Sequence, residues 1–151
     1  MIITQAENKE CGACSLCCKL PSISVPELTK PAQSWCPHCK PGKGGCSIYN
    51  SRPTICEEFV CMWLADPVMA DNLRPDKCKV MFSMTIQNTV QAQVDKAFPT
   101  AWRSGAAHEA IEKFRENGYH VIIIKGSERT FLNGKGASIP PEIMEIMESQ
   151  T

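Results

Sequence analysis

The 151-residue sequence has no continuous apolar run of the length that a membrane span needs, about 18 residues. Its longest strongly apolar stretch is Val121–Ile124. The chain starts without a basic segment followed by an apolar one, so we expect no secretory signal, a cytoplasmic location and no membrane partner. The charges of the 16 basic and 16 acidic residues cancel, so the formal net charge is zero. Nucleic acid is therefore an unexpected partner, because non-specific binding to it needs a basic excess.

Recognisable catalytic motifs are missing as well. The sequence has no nucleophile elbow, metalloprotease helix motif, phosphate-binding loop or dinucleotide fingerprint. Nothing in the spacing of Asp95, His108, Glu109 and His120 favours acid–base chemistry, and we expect these residues on the exposed surface. We therefore assign no catalytic residue and lean against an enzyme.

The residue type that the sequence does have is cysteine. Nine of its ten cysteines lie between Cys11 and Cys61, and Cys78 alone lies outside, where we expect a buried free thiol. A segment so rich in cysteine, proline and glycine needs metal or disulfides to hold it together. In a reducing cytosol this much cysteine is typical of metal binding. Disulfides remain the alternative if the chain comes from a processed exported precursor.

Two C-x2-C pairs, Cys11/Cys14 and Cys36/Cys39, have a spacing that lets a tight turn present two sulfurs to one tetrahedral ion. Because a closed zinc site takes four ligands, nine cysteines would fill two sites and leave one thiol over. His38, between the members of the second pair, is a further candidate ligand, although its ring could equally point to solvent.

An iron–sulfur cluster is the second interpretation of the same residues. The first three cysteines are spaced C-x2-C-x2-C, as in a bacterial ferredoxin, and Cys36-Pro37 has the form of the distant fourth ligand. The match is partial, because a ferredoxin run has no adjacent pair like Cys17-Cys18. Since adjacent side chains diverge, we expect these two thiols to serve two centres. We therefore predict zinc or an iron–sulfur cluster, and more than one metal atom.

The second part of the chain has the periodicity of ordinary secondary structure. The alternation from Val80 to Ile86 predicts a strand with one buried face, and Val90–Val94 predicts its antiparallel partner. An apolar face at helical spacing over 107–114 predicts a helix, which Asn117-Gly118 ends. Two further strands, at 119–125 and 130–132, complete the pattern.

These elements predict an α+β fold. We expect a small, irregular, cysteine-rich and metal-stabilised N-terminal module over residues 1–66. A β-β-α-β-β unit and a short C-terminal helix starting at Pro140-Pro141 follow within residues 67–151. The two parts pack together, or they form one continuous domain.

Four ordered segments resemble the bacterial cysteine-cluster family often called YkgJ-like. They are Cys11-Gly-Ala-Cys-Ser-Leu-Cys-Cys-Lys19, Trp35-Cys-Pro-His-Cys39, Gly45-Cys-Ser-Ile-Tyr-Asn-Ser-Arg-Pro-Thr-Ile-Cys56 and Phe59-Val-Cys-Met-Trp63. The family is described as zinc- or iron-chelating. The resemblance covers residues 11–66 and implies that the metal ligands are Cys11, Cys14, Cys17, Cys18, Cys36, Cys39, Cys46, Cys56 and Cys61.

The same resemblance makes Tyr49, Arg52 and Pro53 a structural element. Pro53 would fix a turn before Cys56, and Arg52 would donate to a thiolate or a carbonyl. We expect a metal-binding protein that acts by binding another molecule, with a protein partner as one candidate. The alternatives are an iron–sulfur redox or catalytic protein, and a protein that senses or hands on a labile metal.

Overall fold

The computed structural model describes residues 5–9, 14–26, 28–40, 45–48, 51–84 and 88–136. The mixed α+β character predicted from the sequence is confirmed, with one four-stranded sheet and two two-stranded sheets among these residues. No helix among them combines the length and the apolar character needed to cross a membrane. The C-terminal helix predicted from Pro140 lies outside the described residues.

The cysteine-rich part contains short elements only. A 3-10 turn spans Leu16–Cys18, and two antiparallel pairs follow, β1 (Ile23–Val25) with β2 (Leu28–Lys30) and β3 (Cys39–Lys40) with β4 (Gly45–Cys46). Two short helices close this part, α1 (Thr54–Glu58) and α2 (Met62–Ala65). Elements this short bury little apolar surface each, so the segment depends on contacts beyond its own secondary structure.

The connector that follows holds a 3-10 turn over Asp71–Leu73 and one turn of helix, α3 (Pro75–Cys78). The main sheet comes next. Its elements are β5 (Val80–Met84), β6 (Thr89–Val94), the helix α4 (Gly105–Glu116), β7 (His120–Lys125) and β8 (Glu128–Leu132). The strand order is β5-β6-β7-β8, with antiparallel outer pairs and a parallel β6–β7 pair. Parallel neighbours need a crossover, and α4 lies in it.

Helix α4 packs on one face of the sheet. Ala107, Ala110 and Ile111 are buried in the largest apolar cluster, which is the helix face that the sequence predicts. Phe114 adds an edge-to-face contact with Phe82, with ring centroids 5.6 Å apart. The helix ends before Gly118. Its φ of +87° is a backbone conformation that residues with a side chain rarely adopt.

The opposite face of β5 is also covered, which differs from the prediction of one buried face. Val80, Met81 and Phe82 are all buried, and Met84 is exposed. Met81 lies in a second apolar cluster formed largely by the cysteine-rich segment, whose other buried members are Leu16, Leu20, Cys61, Trp63 and Leu64. The cysteine-rich segment therefore packs on the sheet face opposite α4.

Polar contacts join the same two parts at the end of β6. Lys19 Nζ donates to Asp95 Oδ1 at 2.6 Å. Gln33 Nε2 donates to the Val94 carbonyl at 2.8 Å, and the Gln33 side-chain oxygen accepts the Lys96 N–H at 3.0 Å. These contacts hold the segment that carries Cys18 and Cys36 against the sheet.

Candidate metal centre

Five cysteines from separate segments are neighbours, and we call them the thiol cluster: Cys18, Cys36, Cys39, Cys46 and Cys56. Cys36 is buried in an apolar cluster with Ile23 and Leu28, and Cys18, Cys39 and Cys56 pack against it. Cys46 joins through the β3–β4 pair, in which it lies directly opposite Cys39. The 3-10 turn Leu16–Cys18, the loop after β2, the β3–β4 pair and α1 thus bring their cysteines to one apolar cluster.

Backbone hydrogen bonds position these cysteines. The Cys36 N–H donates to the Cys18 carbonyl at 2.9 Å, which ties the first cysteine run to the second C-x2-C pair. The Cys39 N–H donates to the Cys36 carbonyl at 3.0 Å and forms the tight turn that this spacing predicts. Such a turn holds both sulfurs on one side of the chain.

Pro53 and Arg52 position Cys56. The Pro53 carbonyl accepts the Cys56 N–H at 2.9 Å, and α1 begins at the next residue, Thr54. Arg52 Nη1 donates to the Cys56 carbonyl at 3.5 Å, so the predicted donation to a carbonyl is confirmed. Tyr49, the third member of this predicted element, lies outside the described residues.

The thiols of the cluster disfavour one another's ionisation. Burial, followed by the charge of Cys18, raises the pKa of Cys39 to about 12. The pKa of Cys18 is raised first by a hydrogen bond with Cys17 and then by burial.

The pKa of Cys56 is raised for similar reasons. Burial is the largest cause, and the charges of Cys18, Cys36 and Cys46 add to it, while Arg52 acts in the opposite direction. Thiols that raise one another's pKa in this way are ionised together only if a cation compensates the charge. A bound metal ion is such a cation and deprotonates coordinating thiols.

The ammonium group of Lys30 is buried beside the cluster. Lys30 is 4% exposed, and its Nζ donates to three backbone carbonyls, those of Lys19 (3.1 Å), Pro21 and Pro31 (3.0 Å). Within the described residues, no carboxylate pairs with it. Burial lowers the pKa of Lys30, and the nearby thiols of Cys36, Cys18 and Cys56 counteract that effect.

A buried hydroxyl also faces the cluster. Ser15 is 3% exposed, and its Oγ has no hydrogen-bond partner of good geometry among the described residues. It lies close to the Cys39 thiol and acts to lower the pKa of that group. A buried hydroxyl without a hydrogen-bond partner is unfavourable, and the neighbouring Cys39 sulfur is the acceptor closest to hand.

Cys61 lies apart from the thiol cluster, and Cys14 interacts with it electrostatically. Cys61 is buried in the second apolar cluster, beside Leu16 and Trp63. Its pKa is raised first by burial, and the charge of Cys14 adds to that effect. Cys61 thus lies on the side of the segment that faces the sheet, within electrostatic range of Cys14.

The ligand set that the ferredoxin spacing predicts stays a prediction. Cys14 interacts electrostatically with Cys61, and Cys36 packs with Cys18. Cys17 is exposed, beside Cys18. Cys11 lies outside the described residues, so its grouping stays a prediction. His38 is half-buried, and its assignment as a ligand also stays a prediction.

The buried cations of the segment have distinct partners. Lys19 pairs with Asp95. Lys9 donates to the Met69 carbonyl at 2.6 Å and lies 4.2 Å from the centre of the Trp63 ring. Among the lysines whose side chains the structure describes in this segment, Lys30 is thus the one that interacts electrostatically with the thiols. Sequence reasoning missed it because a lysine at the end of a short strand ordinarily points to solvent.

The four acid–base candidates do not assemble. His108 and Glu109 are exposed on α4, as expected, but Asp95 and His120 are buried, so the expectation of exposure was wrong for these two. His120 pairs with Thr89 at the start of β6, and Asp95 follows the end of the same strand. Six residues of strand separate the two ends, about 20 Å, which is too far for direct proton transfer.

Cys78 lies apart from the other thiols. It is half-buried against the largest apolar cluster, and its Sγ donates to the Val80 carbonyl at 3.1 Å. Burial raises its pKa. These contacts agree with the expectation of a thiol held in apolar surroundings, although it is less than fully buried.

Within the part of the chain that the structure describes, no three or more His, Cys, Asp or Glu side chains form a group that could hold a metal ion as they stand. The thiol cluster is therefore a set of neighbouring sulfurs around one apolar cluster and not a formed ligand set. Comparison with known proteins adds no assignment: no family model, curated protein or solved structure matches the chain.

Proposed function

We propose that this chain is a metal-binding protein that holds zinc or an iron–sulfur cluster through its clustered cysteines. The single observation that carries the proposal is the convergence of five cysteines from separate segments beside a buried ammonium group. Thiolate is the ligand that zinc and iron–sulfur clusters share. To coordinate one ion, the cysteine side chains would have to turn their sulfurs toward it. The backbone that carries them is already held in place by hydrogen bonds.

The chemistry of the surrounding residues fits a thiolate centre. Four thiolates around one divalent ion carry a net charge of about −2. Lys30 supplies a positive charge beside the thiols, and the buried Ser15 hydroxyl lies beside Cys39. With neutral thiols, the Lys30 ammonium has carbonyl acceptors but no counter-charge among the described residues, which is costly inside a protein.

A second centre accounts for the remaining cysteines. The pair Cys14 and Cys61 supplies two sulfurs, and Cys11, three residues before Cys14, is the candidate for a third. The separation of this pair from the thiol cluster supports more than one metal atom per chain. All nine cysteines of residues 11–61 then serve as ligands, as membership of the YkgJ-like family would imply.

The metal has a structural role in this proposal. Residues 1–66 form a metal-stabilised module, and residues 67–151 form the sheet unit that packs against it. In this proposal the protein is cytoplasmic and acts by binding another molecule, with a protein partner as one candidate. A closed all-cysteine shell favours this role over catalysis, because a catalytic zinc keeps one position open.

Metal handling is the second candidate, and the exposure of Cys17 favours it. Cys17 is exposed while its thiol contacts Cys18, a member of the cluster. An accessible thiol beside a bound ion offers a route for ligand exchange with another thiol. Rapid transfer of zinc from the protein to a chelator, slowed in Cys17→Ser, would support this candidate over a structural site.

The experiment that tests the proposal is purification without oxygen, followed by a visible spectrum and assays of zinc, iron and sulfide. A colourless protein with about two zinc atoms per chain is the outcome for four-ligand sites. A brown protein with stoichiometric iron and sulfide is the outcome for a cluster. Absence of both metals, together with no free thiol by Ellman's reagent, would contradict the proposal in favour of disulfides.

A further inference from the structure

Three cations lie at one end of the main sheet. Because β6 and β7 are parallel and the outer pairs are antiparallel, the ends of β6 and β7 lie beside the starts of β5 and β8. This end of the sheet carries Lys79 directly before β5, Lys96 after β6 and Arg129 in β8. Within the described part of the chain, none of the three has a carboxylate at ion-pair distance. Their positive charges are therefore available to an anion from outside the chain.

The side chains of Lys96 and Arg129 both reach the β7–β8 turn. Arg129 Nη1 donates to the Gly126 carbonyl at 2.9 Å. Lys96 Nζ lies 3.4 Å from the position that a Cβ would take on Gly126. Both cations belong to exposed residues and approach the same glycine, so their like charges are held near each other at the surface. Like charges in this arrangement repel, and a bound anion relieves the repulsion.

The acidic side chains near this end of the sheet do not cancel the excess. Three of them are already paired with other cations: Asp76 with Arg74, Asp95 with Lys19, and Glu128 with Lys125. Each pair is neutral and leaves the excess of three positive charges in place. Because the formal net charge of the chain is zero, this excess is a local feature of one surface.

Two exposed aromatic rings border these charges. Phe98, in the loop after β6, is 47% exposed, and its ring centre lies 4.7 Å from Lys79 Nζ. Trp35 is 40% exposed, and its ring centre lies 5.6 Å from Lys19 Nζ. Lys19 pairs with Asp95, whose carbonyl accepts the Phe98 N–H at 2.8 Å, so both rings lie around the same ion pair. Exposed aromatic side chains beside cations are typical of surfaces that bind another protein.

We propose that this surface docks an acidic segment of a partner protein. We call it the basic end of the sheet, and its residues are Trp35, Lys79, Lys96, Phe98 and Arg129. Carboxylates of the partner pair with the three cations, and the guanidinium of Arg129 can hold a carboxylate with two hydrogen bonds. Apolar side chains of the partner pack on the two rings. The inference rests on the proposed function, in which the chain acts by binding another molecule, and deepens it by naming the surface and the class of partner.

Single-stranded nucleic acid is the other polyanion that aromatic rings and cations bind together. Two observations favour the acidic protein segment. Each ring already has an ammonium over one face, Lys79 on Phe98 and Lys19 on Trp35, whereas the stacking of successive bases needs open ring faces. The zero net charge of the chain gives little attraction to a long polyanion, while a short acidic segment needs only the local excess of charge.

The experiment uses the intact chain and a short fluorescent peptide in which glutamate alternates with leucine and phenylalanine. Fluorescence anisotropy measures the affinity of wild type, Lys96→Glu and Phe98→Ala for this peptide. The matched controls are Lys113→Glu, at an exposed lysine of α4, and Ile55→Ala, at an exposed apolar residue of α1. An oligothymidylate of the same length is the second probe. Circular dichroism checks that each variant is folded, and zinc and iron are assayed in each preparation.

We expect Lys96→Glu to weaken peptide binding about 10-fold and Phe98→Ala about 5-fold, with both controls near wild type. Equal losses in Lys96→Glu and Lys113→Glu would overturn the proposal, because binding would then follow net charge and not this surface. A peptide that does not bind wild type, or an oligothymidylate that binds more tightly than the peptide, would also overturn it. If Lys96→Glu does not fold, Arg129→Glu is the charge reversal that decides.

Failure of this proposal is distinct from failure of the proposed metal site. Protein that carries zinc or iron but does not bind the peptide contradicts the docking surface alone. Protein that carries neither metal but binds the peptide, with the losses expected for Lys96→Glu and Phe98→Ala, contradicts the metal site alone.

Discussion

Lys19 and Asp95 form a mostly buried ion pair, with Nζ and Oδ1 2.6 Å apart, between the cysteine-rich segment and the end of β6. Asp95 also accepts the Ala97 N–H at 3.0 Å, which fixes its carboxylate. Because Lys19 directly follows Cys18, this pair connects the thiol cluster to the sheet. The core of the sheet unit therefore stabilises the position of the candidate metal centre.

The first prediction concerns this ion pair. Asp95→Ala should destabilise the protein by about 3 kcal/mol, because it leaves the Lys19 ammonium buried without its partner. The measurement is urea unfolding followed by tryptophan fluorescence. The double variant Lys19→Met with Asp95→Leu should recover much of the loss. A loss below about 0.5 kcal/mol for Asp95→Ala would show that the pair contributes little.

The second prediction separates the two kinds of cysteine. Cys39→Ser should reduce the bound metal and lower stability, since it removes a sulfur of the thiol cluster. Cys78→Ser should keep the full metal content and change stability by about 1 kcal/mol or less, because its thiol bonds to a carbonyl that a hydroxyl can also reach. Equal metal content in both variants would argue against the thiol cluster as a ligand site.

The third prediction concerns acid stability. Hydrogen bonds from Arg74, at 2.5 and 2.7 Å, hold the pKa of Asp76 below its usual value. A carboxyl whose pKa is lower in the folded state stabilises the fold above its unfolded pKa, about 3.9, and loses that contribution as the pH falls through the folded value.

Asp76→Asn should therefore cost up to about 1 kcal/mol at neutral pH, and the difference from wild type should vanish toward pH 2. Urea unfolding at a series of pH values measures it. A difference that stays constant from pH 7 to pH 2 would mean that the ionised carboxylate is not its source.

The fourth prediction tests the close packing of the chain after β8. A Cβ added at Gly134 would lie 2.6 Å from the backbone carbon of Gly118, so the two segments approach too closely for any side chain. The Gly134 N–H also donates to the buried His120 Nδ1 at 3.0 Å. Gly134→Ala should cost about 1–3 kcal/mol through overpacking.

The control is Gly136→Ala, for which nothing lies within 4 Å of the added Cβ and only the left-handed backbone, at φ +73°, opposes it. It should cost about 1 kcal/mol. Thermal unfolding compares the two variants. A smaller loss for Gly134→Ala than for Gly136→Ala would contradict the close approach.

Local features of this molecule could be predicted from the sequence. The apolar face of α4 repeats at helical spacing, and the C-x2-C turn at Cys36 is set by its own four residues. The burial of Met81 could not be predicted, because the residues that cover it come from a distant segment. The interaction of Cys14 with Cys61 could not be predicted either, because it depends on how α2 packs against Leu16 and Leu20.

The burial of the polar residues around the candidate centre could not be predicted from the sequence either. Leu28-Thr29-Lys30 has the alternation of a half-exposed strand, yet Lys30 is buried and its ammonium donates to three carbonyls of the flanking loops. Nothing in the type of Ser15 indicates a hydroxyl without a partner. Spacing identified the thiols as candidates, but the burial of Ser15 and Lys30 follows from tertiary packing.

The measurement that tests the central claim most directly is X-ray absorption at the zinc or iron edge of the protein purified without oxygen. We predict a first coordination shell made of sulfur, for zinc with four ligands at about 2.3 Å. Cys39→Ser should reduce the sulfur contribution, and Cys78→Ser should leave it unchanged. A shell dominated by nitrogen or oxygen, or a protein that carries neither metal, would contradict the account.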